Sequence, residues 1–326
     1  MFELIRPGTQ IDFAGKRHIF LGLSVLAMFV SLGLFFTKGL NYGIDFTGGA
    51  EIQIRVPQEW NIGRVRAEME KGGLQGLKVV QLGDASAREF LVKAQGAEGE
   101  LNRISSQVEQ TLQKSLKAGE YDVQRVDVVG PAAGSTLRKS GFLSMLYALL
   151  CILIYVTIRF DARYSPGAVL ALFHDTVITV GIFIVLQKQF DLLTLAALLA
   201  LIGYSNNDTI IVYDRVRETL QTHPGLSIEQ AVNKATNETL GRTILTSVCT
   251  FFSAFALWAW GGAVIHNFAF TFMVGIVVGS YSSIFVASAL VIYITHYQKK
   301  RDAKVQSGGV KRRKSITVRP EPKFEG

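Results

Sequence analysis

Asp208 lies in the polar run Tyr204-Ser-Asn-Asn-Asp-Thr209, with long apolar stretches on both sides. An ionised carboxyl in such surroundings costs roughly 2.5 to 3.5 kcal/mol to insert at the centre of a membrane helix, so it calls for a partner, a water-filled cavity or a function. Burial favours its neutral form and a nearby cation its charged form, the two opposed pressures under which a group exchanges protons. Arg242 can supply that cation, and Thr243, Thr246, Ser247, Thr250 and Ser253 recur after it at helical spacing. The chemistry these residues offer is a proton relay, with Asp208 as carrier, Arg242 as its basic counterpart and Asn207 in support. Asp175, beside His174 and one turn from Thr179, is a second carboxyl in an apolar stretch and takes a supporting role. A static reading also fits: Asp208 and Arg242 as a fixed ion pair, the Asn and Ser side chains as hydrogen bonds between helices, and Arg242 snorkelling from a helix end.

Enzymatic chemistry has no comparable signal. No nucleophile triad, phosphate loop or metal-ligand cluster is readable, and Cys151 and Cys249 both fall inside apolar stretches without ligand spacing. The expectation is a non-enzyme with neither cofactor nor metal.

The elements that must position these groups are membrane helices. Residues 19–37, 140–158, 166–186, 192–213, 242–260 and 266–296 are each about as long and apolar as a bilayer span requires, which predicts six spans. The first is preceded by Lys16 and Arg17 but runs on through Phe35, Phe36 and Thr37 with no small-residue cleavage site, so it reads as an uncleaved helix. The net charge of +8 is distributed unevenly. Arg6, Lys16 and Arg17 precede the first span, Arg159 and Arg163 separate the second and third, and Arg215, Arg217 and Lys234 follow the fourth, whereas the opposite short loops carry only Lys188. By the positive-inside rule both termini, residues 1–18 and 297–326, are cytoplasmic. The tail, with Lys299, Lys300, Arg301, Lys304 and Lys311 to Lys314, reads as disordered and suited to anionic lipid; topology explains its charge without nucleic acid.

Residues 38–139 form a segment long enough to be a periplasmic domain. Strands are predicted over 50–56, 77–82, 89–93 and 121–129, and helices over 60–71 and 101–116, from apolar alternation and from stripes such as Val65/Met69 and Val108/Leu112. This βαββαβ order is the split-βαβ, ferredoxin-like α+β arrangement. Between the fourth and fifth spans, residues 214–241 contain a capping box at Ser227-Ile-Glu-Gln230, predicting a short amphipathic helix along the interface or packed under the bundle. Gly275 and Gly279, with Ser280, Ser282 and Ser283 nearby, suggest close helix packing in the sixth span.

After the first span comes Asn41-Tyr-Gly-Ile-Asp-Phe-Thr-Gly-Gly49, whose Gly43, Asp45, Gly48 and Gly49 read locally as a turn into the first strand. Gly43-Ile-Asp-Phe-Thr-Gly-Gly49 resembles the signature of the SecD/SecF family. Ala171-Leu-Phe-His-Asp175, Ile202 through Asp208 to Glu218, and Arg242-Thr-Ile-Leu-Thr-Ser247 resemble its SecF-type blocks in order. The resemblance implies an RND-superfamily half bundle of six helices in the bacterial inner membrane that pairs with SecD. It implies use of the proton-motive force to assist preprotein export through the SecYEG channel, with YajC as a further partner. Carried over by motif, Asp208 is the proton-carrying carboxylate and Arg242 its counterpart. Competing classes are RND-like proton-coupled efflux, which would need larger periplasmic domains, and a non-transporting assembly subunit.

Overall fold

The computed structural model describes residues 9–74, 76–82, 88–95, 98–117, 119–160 and 164–314. Arg6, Arg163 and residues 315–326 of the tail lie outside them. A long helix α1 (Arg17–Thr37) leads through β1 (Asn41–Tyr42) and a single helical turn α2 (Ile44–Thr47) into an α/β domain. That domain comprises β2 (Gly49–Arg55), α3 (Ile62–Lys71), β3 (Lys78–Leu82), β4 (Glu89–Ala94), α4 (Glu98–Ser115) and β5 (Asp122–Val129). The chain returns through α5 (Pro131–Arg159), α6 (Ser165–Val185), β6 (Gln189–Phe190), α7 (Leu192–Thr222) and α8 (Ile228–Trp260). The last span is α9 (Gly262–Tyr281), a π-helical turn Ser282–Ala287 and α10 (Ser288–Lys314).

Among the described residues, six helical stretches are long and apolar enough to cross a membrane, as their composition predicts. In the bundle α6, α7 and the last span are the most buried, while α1, α5 and α8 present most of their surface outward. Small residues let the central helices approach: a Cβ on Gly275 would lie 2.5 Å from the Leu201 side chain, so α9 packs directly on α7.

The α/β domain forms an antiparallel sheet in the order β3-β4-β2-β5. β4 lies between β2 and β3, which is the split-βαβ arrangement. Alternation along β2 and β4 places Ile52, Ile54, Phe90 and Val92 in one core with Val65 and Met69 of α3 and Val108 and Leu112 of α4. Each such side chain contributes about 1.5–3 kcal/mol when fully buried. Asn61 caps α3, its side chain accepting from the Arg64 N–H at 2.9 Å.

Two elements differ from the sequence reading. The capping box at Ser227 is present, but the helix it opens runs without a break through Gly241 to Trp260, so 214–241 holds no separate interfacial helix. Once nucleated, a helix adds a hydrogen bond for each residue fixed, and nothing between 228 and 260 is a proline to stop it. For the same reason α10 continues out of the span to Lys314, through the stretch from Val305 that its glycines and charge marked as disordered.

Residues 11–14, ahead of α1, lie across α8. Asn237 and Asn233, one turn apart, accept from the Ile11 N–H (2.8 Å) and the Phe13 N–H (2.8 Å), and the Asn237 amide donates to the Ile11 carbonyl (2.8 Å). Phe13 then packs with Leu240 and Ile284.

Candidate functional site

Asp208 sits on α7 with 2% of its surface exposed, facing α8. Arg242 and Ser247, both on α8, are the groups that act on its carboxyl. One of its oxygens, Oδ2, has no hydrogen-bond partner among the described residues, and neither has the buried Thr243 hydroxyl. The Ser247 and Ser280 hydroxyls are 2.7 Å apart, which carries the polar strip on to α9. Arg242 itself is exposed on the bundle surface. The arrangement is a buried carboxyl with spare acceptor capacity, within electrostatic reach of the exposed Arg242 guanidinium. Asn207 points outward, 100° round the helix from Asp208, and its neighbour Asn206 is the buried amide.

Asp175 is not part of that group. Its Oδ2 accepts from Ser205 Oγ at 2.6 Å and from Ser282 Oγ at 2.8 Å, and its Oδ1 lies 2.9 Å from His174 Nδ1. His174 and Asp175 are each 1% exposed. Sequence reasoning misses Ser205 and Ser282 because serine at helical spacing is common in membrane helices; the available clue is that a lone buried carboxyl needs hydroxyls from neighbouring spans.

The glycine-rich turn joins the domain to the start of α7. β1 pairs in parallel with β6, and the Gly43 N–H donates to the Phe190 carbonyl at 2.8 Å. Asp45 Oδ2 accepts from the Leu192 N–H at 2.8 Å, so it caps the first turn of the helix that carries Asp208, sixteen residues or about 24 Å further on. Half-burial holds the Asp45 carboxyl above its ordinary range, aided by Asp191, Glu51 and Asp127, although the Leu192 N–H pulls the other way. Gly48 and Gly49 have φ of +75° and +141°. A Cβ on Gly48 would sit 2.7 Å from Pro131 Cα, and one on Gly49 2.6 Å from the Ala94 carbonyl oxygen. Both positions therefore require glycine. The domain is tied to the same loop by polar side chains: Lys93 pairs with Glu51 at 2.8 Å and bonds Gln189 of β6, and Gln189 donates to Glu51 at 2.7 Å.

Residues 107–297 match the family described as protein export membrane protein SecD/SecF, C-terminal, and residues 33–56 match the SecD/SecF GG motif. The chain is 41% identical over 307 residues to a protein translocase subunit SecF of Calditerrivibrio nitroreducens, covering 91% of this chain and 98% of the relative. It is 39% identical to the SecF subunit of Pseudomonas aeruginosa, covering 89% and 93%. It is also 37% identical to a SecDF subunit of Brucella abortus, of which it spans 39%. Among solved structures, the crystal structure of SecDF, a translocon-associated membrane protein from Thermus thermophilus, superposes with a TM-score of 0.79 at 36% identity. That match covers 89% of this chain and 39% of the SecDF chain.

Proposed function

This chain belongs to the SecD/SecF family of protein-export membrane proteins, and from that premise we propose that Asp208 couples proton movement to export. It is a multi-pass membrane subunit of the protein translocase. The carrying observation is the buried Asp208 carboxyl, one oxygen unpartnered among the described residues, within electrostatic reach of Arg242 and on the helix whose first turn is capped by the GG turn. Proton binding shifts an equilibrium only by its differential affinity for two states. Here the two states are two packings of α7 against α8, and the α/β domain, tied to the start of α7, reads them out. Arg242 is the counter-charge, Asp175 supports from α6, and Asn207 faces the partner.

The SecDF relatives are single chains of which this one corresponds to a part, which supports pairing with SecD. The exposed polar stripe of α8 gives SecD a surface to cover. The charge distribution supports a bacterial inner-membrane topology with cytoplasmic termini and a periplasmic domain. Further partners on this reading are the SecYEG channel, YajC and the translocating preprotein, with anionic lipid at the basic tail, and the chain transports rather than catalyses.

The test is preprotein export into inverted membrane vesicles containing the SecD pair, with and without a proton gradient. Asp208→Asn is expected to abolish the gradient-dependent part, and Arg242→Lys to reduce it by about tenfold or more, because a point charge replaces the planar fork. Full gradient-dependent export by Asp208→Asn would sink the assignment.

A further inference from the structure

The last span is interrupted by a π-helical turn, Ser282–Ala287. Such turns are rare, insert one residue into the helical ladder and concentrate at functional sites. This one is held by side chains from two other spans. Ser282 donates to Asp175 of α6, which also accepts from Ser205 of α7. Thr209 and Ser283 hydroxyls lie 3.0 Å apart, and the Tyr213 hydroxyl donates to the Ala287 carbonyl at 3.2 Å. Ser205, Thr209 and Tyr213 are spaced by four residues and so form one stripe of α7. Asp175, Ser205, Thr209, Tyr213, Ser282 and Ser283 are all at most 1% exposed.

We infer that Asp175, Ser205 and Ser282 form a buried clasp that fixes the π-turn against α7 and thereby sets the rotation of α7 that presents Asp208 to α8. The inference rests on the relay role proposed for Asp208. The three are positioning residues: Arg242 and Ser247 act on the Asp208 carboxyl, and the clasp determines where that carboxyl points. An α-helix is rigid about its axis, so a stripe locked at 205, 209 and 213 fixes the azimuth of residue 208. Titratable or charged groups facing the two carboxyls are His174 from α6, on which Tyr281 of α9 stacks, and Arg242 from α8. The π-turn contributes hydroxyls.

The experiment measures gradient-driven proton flux and export against pH in proteoliposomes of the full complex with SecD. Ser205→Ala and Ser282→Ala each remove one hydrogen bond to Asp175. Each is expected to move the pH midpoint by about half a unit to one unit and to cut the rate about three- to tenfold. Ser282→Thr, which keeps the hydroxyl, is expected to retain the wild-type midpoint. Thr271→Val removes a buried hydroxyl that bonds its own helix, at the Asn267 carbonyl, and serves as the control. The clasp is overturned if the serine variants keep the wild-type midpoint, or lose rate only as Thr271→Val does. Asp208→Asn separates the two ideas. If it abolishes flux while the serine variants behave as wild type, the clasp alone fails; if it leaves flux intact, the relay fails and the clasp with it.

Discussion

Asp45 shows how a single side chain serves two masters at the junction of domain and bundle. It caps α7 through the Leu192 N–H, yet its carboxyl is half-buried among Asp191, Glu51 and Asp127, and its folded-state pKa lies above the ordinary value. A group with a raised folded pKa contributes stability that is present below its unfolded pKa of about 3.9 and is lost as pH rises through the folded value. Asp45→Asn keeps an acceptor for Leu192 without the charge. It should therefore be at least as stable as wild type near pH 7.5, with the advantage shrinking toward about pH 4. Thermal unfolding in detergent at the two pH values measures this, and an Asn variant less stable at neutral pH would show that the ionised cap outweighs its burial. Asp208 and Arg242 are legible from type and placement alone, because ionisable groups in apolar stretches are rare. Ser205 and Ser282 are not, since their importance comes from which carboxyl they meet across three helices, a relation that spacing along one helix does not carry.

Among the elements, the continuous α8 makes the clearest contrast between free and constrained glycines. Gly241 lies in the interior of α8 with nothing within 4 Å of where an added methyl would sit, so Gly241→Ala should stabilise by about 0.5–1 kcal/mol. Gly275→Ala would drive a methyl into Leu201 and should cost about 1–3 kcal/mol, while Gly48→Ala should cost more, its φ being positive and its neighbour the Pro131 backbone. Unfolding midpoints of the three variants should rank in that order, and equal midpoints would refute the packing described. The spans and the βαββαβ domain are readable because length and apolar period are properties of the sequence itself. The unbroken α8 and the π-turn are not: polar composition between 214 and 241 marks exposure to water rather than the end of a helix, and a π-turn has no composition of its own.

For the molecule as a whole, the uneven burial of its helices decides where a partner must sit. Arg242, Thr246, Cys249 and Ser253 recur along one side of α8 and are all exposed, and the charge of Arg242 makes this the side of α8 that lipid suits least. Cys151 on α5 is exposed as well, but among Leu146, Tyr147, Leu150 and Ile154, which suit lipid. The two native thiols thus report on two faces. Maleimide labelling in membranes should fall at Cys249 by about tenfold or more when SecD is co-expressed and stay unchanged at Cys151, a contrast set by desolvation of the covered stripe. Equal labelling of Cys249 with and without SecD would place the partner elsewhere. The segment laid over the other end of α8 carries a different lesson. Asn233 and Asn237 grip its main chain and not its side groups, so side chains other than Asp12, Phe13 and Ala14, which make contacts of their own, can change while its route stays the same. An imino acid at 11, 13 or 14, with no N–H to offer, would loosen that hold.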